Sequence, residues 1–171
     1  MALALGCTTA LASPSIQQRS DVAVGPIYAY GTNITGLEVF VADSVAYVGN
    51  ISLSTASSAS HITFYLDATS LVATPSNSSL GNETLAIDTT SGAFKEVIFN
   101  ASSTDTGYVS TGFHMYGTMI AWANSEGILA SNWYAEETEY AGLWTLKWNT
   151  DNLVVDAGKQ LVLKNLGPIT L

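Results

Sequence analysis

The chain has 171 residues, 47% of them hydrophobic and only 11% charged, with 14 acidic against 5 basic residues for a formal net charge of −9. That balance excludes a disordered or collagen-like chain and leaves room for one compact domain. One arginine and four lysines cannot form the basic stripe that phosphates require, so neither nucleic acid nor an anionic membrane surface is expected as a partner.

The chain opens with a short apolar run, Leu3 to Leu11, followed by the small–x–small pattern Ala10-Leu11-Ala12, which reads as part of a secretion signal covering residues 1–12. Cleavage after Ala12 removes Cys7, the only cysteine, so no disulfide, thiolate metal site or catalytic cysteine is expected in the mature protein. Residues 13–26 are expected as a flexible N-terminal segment, and 27–171 as a single all-β domain. No apolar run after the signal reaches the ~18 residues that a membrane span needs.

From residue 27 onward the pattern is short apolar runs separated by turn residues, with almost nothing of helical period. Strands are expected at 27–30, 37–41, 45–48, 62–66, 71–74, 84–88, 96–100, 112–116, 119–123, 133–135, 143–148 and 160–163. Ala42-Asp43-Ser44 joins the second and third as a hairpin. The run at 62–66 alternates, with Ile62, Phe64 and Leu66 facing one way and His61, Thr63 and Tyr65 the other. Segments 52–60 and 101–110, rich in Ser and Thr, read as loops. Residues 125–131 are the one short place compatible with a helix. Twelve short strands at close spacing indicate a single-domain antiparallel β-sandwich of jelly-roll type, with a β-trefoil-like barrel as the alternative.

Five of the ten asparagines, Asn33, Asn50, Asn77, Asn82 and Asn100, begin N-x-Ser/Thr sequons, where about two would be expected by chance, and their neighbours read as turns or strand ends. They are the expected glycosylation sites of a secreted chain.

The order of motifs resembles the small secreted fungal wall proteins of the phialide-associated PhiA type. The pieces that carry the resemblance are Ile62-Thr-Phe-Tyr-Leu-Asp67 with Ser70-Leu71, the pair around Leu85-Ala-Ile-Asp88 and Phe94-Lys-Glu-Val-Ile-Phe99, and the run from Gly112-Phe-His-Met-Tyr116 to Gly142-Leu-Trp-Thr-Leu-Lys-Trp148. The likeness spans most of the mature chain at the level of pattern. It implies a cell-surface, development-associated role and transfers no catalytic residue.

Signatures of nucleophilic, metal-dependent, phosphate-binding and dinucleotide-binding enzymes are absent, and no metal or cofactor is expected. His61 and His114 are the only histidines; His114, alone on its strand, reads as a half-buried packing residue. All four tryptophans, Trp122, Trp133, Trp144 and Trp148, fall in the last third of the chain. Trp144, Leu146 and Trp148 share one face of a strand and read as core, because two indoles and a leucine bury a large apolar area. Trp133 and Tyr134 are adjacent and must point to opposite sides, which leaves one of them as a candidate platform for a sugar ring beside Glu136 and Glu137. The expected function is therefore that of a non-enzymatic secreted or wall-associated glycoprotein. The alternative is a carbohydrate-binding module that recognises wall polysaccharide through Trp133, Tyr134, Glu136 and Glu137; third comes a glycoside hydrolase with paired carboxylates.

Overall fold

The computed structural model describes residues 21–102, 104–156 and 158–169. The expected signal at 1–12, with Cys7, lies outside the described residues. Among the described residues every regular element is a strand except one turn of 3-10 helix, as a chain of short, turn-punctuated apolar runs requires.

The first strand, β1 (Val22–Gly25), and β2 (Tyr28–Gly31) are joined by Pro26 and Ile27. Of the segment 13–26 expected to be flexible, 13–20 lie outside the described residues, and at its end β1 pairs with a later strand and buries Val24. The long β3 (Ile34–Ala42) turns into β4 (Val45–Gly49) through Asp43 and Ser44, whose φ values of +46° and +64° are those of a two-residue hairpin turn that follows the strand twist. The helical turn η1 (Ile51–Leu53) follows in the segment read as a loop. Then come β5 (Ala59–Asp67), β6 (Ser70–Pro75), β7 (Glu83–Asp88), β8 (Phe94–Glu96), β9 (Ile98–Phe99), β10 (Tyr108–Val109), β11 (Phe113–Tyr116), β12 (Met119–Ala123), β13 (Leu129–Ala130), β14 (Trp133–Glu137), β15 (Leu143–Asn149) and β16 (Gly158–Lys164).

All pairings are antiparallel, and ten strands close a circuit in the order β3–β5–β6–β7–β9–β4–β15–β14–β16–β2 and back to β3. The molecule is thus an all-β barrel with extra strands outside the circuit, and closure removes the open edges that a ten-strand sheet would otherwise expose. β3 and β4, both members of the circuit, also pair with each other as a hairpin. One edge of β3 is shared by β2, opposite Ile34 to Glu38, and β5, opposite Phe40 to Ala42. The far edge of β4 is likewise shared by β9 and β15.

Alternation sorts the side chains. Ile62, Phe64 and Leu66 of β5 are buried while His61 and Thr63 are exposed. In β15, Leu143, Trp144, Leu146 and Trp148 are buried, with Thr145 and Lys147 half-buried. The end of β3 breaks the rule, because Val39, Phe40, Val41 and Ala42 are all buried. Val39 and Val41 enter the main core, and Phe40 and Ala42 enter a second apolar cluster on the outer side with Leu143, Tyr47, Ile51 and Leu53.

Three local readings are corrected. Residues 96–100 do not form one strand, since the fully buried Val97 separates β8 from β9, donating its N–H to Leu146 and accepting from Ala46, both at 2.9 Å. The stretch 101–110 is not entirely loop, because Tyr108 and Val109 pair with Asp88 and Ile87. Residues 125–131 form a turn and β13 rather than a helix: the Asn124 carboxamide accepts from the N–H groups of Glu126 and Ile128 at 3.0 and 2.9 Å, the competing local bond that disfavours helix.

Candidate functional site

Trp133 and Tyr134 begin β14, a strand paired on both edges, with β15 and β16. Such a position leaves an aromatic ring one face against the core and the other beneath neighbouring side chains. Trp133 is fully buried, its indole N–H donating to the Ile120 carbonyl at 2.9 Å and its ring 4.8 Å from that of Trp148. Phe113 stacks on it at 6.4 Å. Tyr134 points the other way, as alternation demands, but is only 8% exposed, packed edge-on against Phe94, with its hydroxyl donating to Asn152 at 3.0 Å. Neither ring offers a face to solvent, so the platform expected at Trp133 or Tyr134 is corrected: both are packing residues.

The acidic pair beside them is also divided. Glu136 is half-buried and ion-paired with Lys147, whose ammonium lies 5.2 Å from the centre of the Phe94 ring. Glu137, the next residue on the strand, is exposed. Consecutive strand residues project to opposite faces, so these two carboxylates do not flank one sugar ring. His114 is exposed rather than half-buried. Among the described residues, no group of three or more His, Cys, Asp and Glu could hold a metal ion, and no helix is long and apolar enough to cross a membrane.

Two of the surface clefts among the described residues bring aromatic side chains together with carboxylates. In one, of about 380 Å³, the Glu38 carboxylate accepts from Nδ1 of the His61 ring at 3.1 Å beside Tyr28, at the point where β2 and β5 diverge from β3. The other, of about 360 Å³, lies over the outer face of the β3–β4 hairpin and is lined by Asp43, Tyr47, Ser54, Thr138, Glu139 and Tyr140 among others. Both of its walls are pinned. On one side the Asp43 carboxylate accepts from the backbone N–H and hydroxyl of both Ser57 and Ser58, at 2.9 to 3.0 Å. These bonds from Ser58 and Ser57 hold its pKa below the ordinary carboxylate value. On the other side, the Thr138 hydroxyl donates to the Leu143 carbonyl at 2.9 Å and accepts from the Tyr140 N–H at 3.2 Å, which fixes the β14–β15 turn. Tyr47 forms part of the floor, stacked at 5.8 Å on the buried Phe40. Burial, with the charges of Glu96 and Asp43, raises its phenol pKa, so it stays a hydrogen-bond donor at neutral pH. Tyr140 is 37% exposed at the rim. The sequence reading placed an acidic cluster next to aromatics in this segment; it missed that Glu139 and Tyr140, rather than Glu136 and Trp133, would face outward, and that Asp43 and Tyr47 would meet them from the far side of the chain.

The asparagines differ in their surroundings, although Asn152, outside any sequon, is exposed like those within them. Asn33, Asn50, Asn77, Asn82 and Asn100 are all exposed. The Oδ1 atoms of Asn50, Asn77 and Asn100 accept backbone N–H groups from Ser52, Ser79 and Thr84 at 3.0, 3.1 and 2.8 Å, which holds the carboxamide by its oxygen. At Asn82 the nitrogen makes a long bond of 3.3 Å to the Tyr65 hydroxyl. The asparagines outside sequons do structural work instead. Asn132, Asn149 and Asn165 donate through Nδ2 to the carbonyls of Thr150, Leu153 and Val24, Asn124 closes its turn, and Asn152 receives the Tyr134 hydroxyl.

Charge is sorted as well. All four lysines are engaged within the molecule: Lys95 lies 3.1 Å from the buried Asp88, Lys147 pairs with Glu136, Lys159 sits 4.0 Å over Trp144 and Lys164 5.3 Å over Tyr30. Ten of the fourteen acidic residues are exposed, so the outer surface is predominantly anionic. No family model, no curated protein and no solved structure matches the chain.

Proposed function

We propose that this protein is a secreted, N-glycosylated component of a cell surface or wall that acts by its physical presence rather than by a chemical step, in keeping with its resemblance to the phialide-associated fungal wall proteins. The observation that carries the reading is the division of the asparagines. Those in sequons are exposed, and at Asn50, Asn77 and Asn100 the carboxamide is held by its oxygen. Most of those outside sequons use the carboxamide nitrogen to tie down backbone. None of the five sequons falls on a buried asparagine, and among the described residues only at Asn82 is the sequon's carboxamide nitrogen bonded.

A glycan at each of the five positions, added to an anionic exterior, produces a strongly hydrated shell that resists self-association. A filled barrel core beneath it supplies stability without a disulfide. Both properties suit a protein that persists outside the cell in contact with wall polysaccharide.

The test is expression from a secreting eukaryotic host, with intact mass measured before and after enzymatic removal of N-glycans. The expected result is a loss of mass equal to several glycans, reduced stepwise by single Asn→Gln substitutions at positions 33, 50, 77, 82 and 100. The smallest step is expected at Asn82, whose nitrogen is already bonded to Tyr65. A secreted product whose mass equals that of the bare chain overturns the reading.

A further inference from the structure

We propose that the cleft between the β3–β4 hairpin and the β14–β15 turn binds an amino sugar: a hydroxylated ring whose apolar face rests on Tyr140 and whose ammonium group is drawn to Asp43 and Glu139. The inference deepens the reading of a protein working at a polysaccharide surface and rests on it.

The lining selects the ligand by exclusion and then by fit. Asp43 and Glu139 both border the cleft, whereas all four lysines are engaged elsewhere. A carboxylate, phosphate or sulfate would enter against two negative charges, so the ligand is neutral or cationic. The Oδ1 atom of Asp43 already accepts three hydrogen bonds, from Ser57 and Ser58, while Oδ2 accepts only one. One acceptor direction of a fixed charge therefore remains for an ammonium group.

The rest of the lining calls for a ring with hydroxyls rather than a bare amine. Tyr140 presents part of an aromatic face at the rim, and Tyr47 presents another from the floor, its position set by stacking on Phe40. Ser54 and Thr138 complete the polar part of the lining. A cavity of about 360 Å³ falls at the lower end of ordinary small-molecule sites, which suits one or two sugar rings of a longer polymer that continues across the open surface. Both walls are held by hydrogen bonds present without ligand, so little ordering remains to be done on binding.

The experiment titrates the folded, secreted protein with a glucosamine tetramer, its fully N-acetylated counterpart and spermidine, by calorimetry at mildly acidic pH, where the sugar amines are protonated. The glucosamine tetramer is expected to bind, to weaken as salt rises, and to lose at least tenfold in affinity in Glu139→Gln and in Tyr140→Ala. Both substitutions fall on exposed side chains of a turn held by main-chain and Thr138 bonds, so both variants are expected to fold, and circular dichroism checks this. Equal affinity for the N-acetylated tetramer overturns the ammonium half of the proposal. Equal affinity for spermidine, unaffected by Tyr140→Ala, overturns the ring half and leaves a simple amine trap. No binding of any of the three overturns it altogether while leaving the glycosylation reading, which is decided by mass, untouched.

Discussion

Two aromatic regions lie a few residues apart in the chain and end in opposite surroundings. Trp133 and Tyr134 sit at the start of β14, paired on both edges, where neighbouring strands and their side chains cover both faces. Tyr140 sits in the turn that follows, beyond the last paired residue, and keeps part of its ring open beside Glu139. The same chemistry, aromatic next to carboxylate, is core in one place and rim in the other. What separates them is strand pairing: a ladder brings side chains against a ring from both flanks, and a turn does not. Tyr47 is an intermediate case, on a paired strand and stacked on Phe40, yet lining the cleft with the loop after β4 and the β14–β15 turn.

The comparison is broken most forcefully at Trp133. Replacement by Ala empties the space between Phe113, Ile120 and Trp148 and is expected to cost about 3–5 kcal/mol, read as a fall in the denaturant midpoint. A variant of near-normal stability would show that this indole is not the keystone of the core.

Asp88 comes next. It is 1% exposed, and Gly107, at φ +91°, lets the following loop close over it, since a Cβ there would lie 2.8 Å from its Oδ1. Burial pushes its pKa up, but hydrogen bonds from Thr90 and the Lys95 ammonium outweigh burial, and the net shift is downward from 3.8. A carboxylate with a folded pKa below its unfolded one adds stability that is complete above the unfolded value and is lost as pH falls through the folded one. Stability is therefore expected to decline below about pH 4, and Asp88→Asn to flatten that decline while costing roughly 1–3 kcal/mol at neutral pH. Asp43 acts in the same direction at the hairpin tip. In Asp43→Asn, the amides of Ser57 and Ser58 are expected to exchange hydrogen faster, with the barrel core unaffected.

Smaller effects sharpen the contrast. Tyr134→Phe removes one hydroxyl bond, to Asn152, and is expected to cost about 0.5–1.5 kcal/mol, which marks Tyr134 as a packing residue with a tether. Tyr140→Ala is expected to shift stability by no more than about 0.5 kcal/mol in the thermal midpoint. A large loss there would mean that the rim tyrosine belongs to the core after all.

Much of the strand pattern was legible along the chain because β alternation is a local property. Ile62, Phe64 and Leu66, and Trp144, Leu146 and Trp148, declare their buried faces by period alone, and Asp43-Ser44 declares its hairpin by turn chemistry. The strands that escaped notice, at Val22–Gly25, Tyr108–Val109 and Leu129–Ala130, are two to four residues long. They owe their state to a partner strand rather than to a pattern of their own. The candidate cleft was only half legible. Glu136 and Glu137 stood out beside the aromatics, yet which carboxylate and which ring would face outward depended on where β14 stops being paired.

The sequence by itself determined that the chain is β throughout, that its late tryptophans on β15 face inward, that its charge is acidic, and where its sequons lie. All of these follow from composition, period-2 alternation and short motifs. Tertiary structure alone decided that the strands close a ten-membered circuit, that Trp133 and Tyr134 are both covered, that the lysines are all engaged, and that Asp43 and Tyr47 meet Glu139 and Tyr140 across one cleft. Each of these depends on contacts between residues far apart in the chain, and no local period encodes which strand will lie beside which.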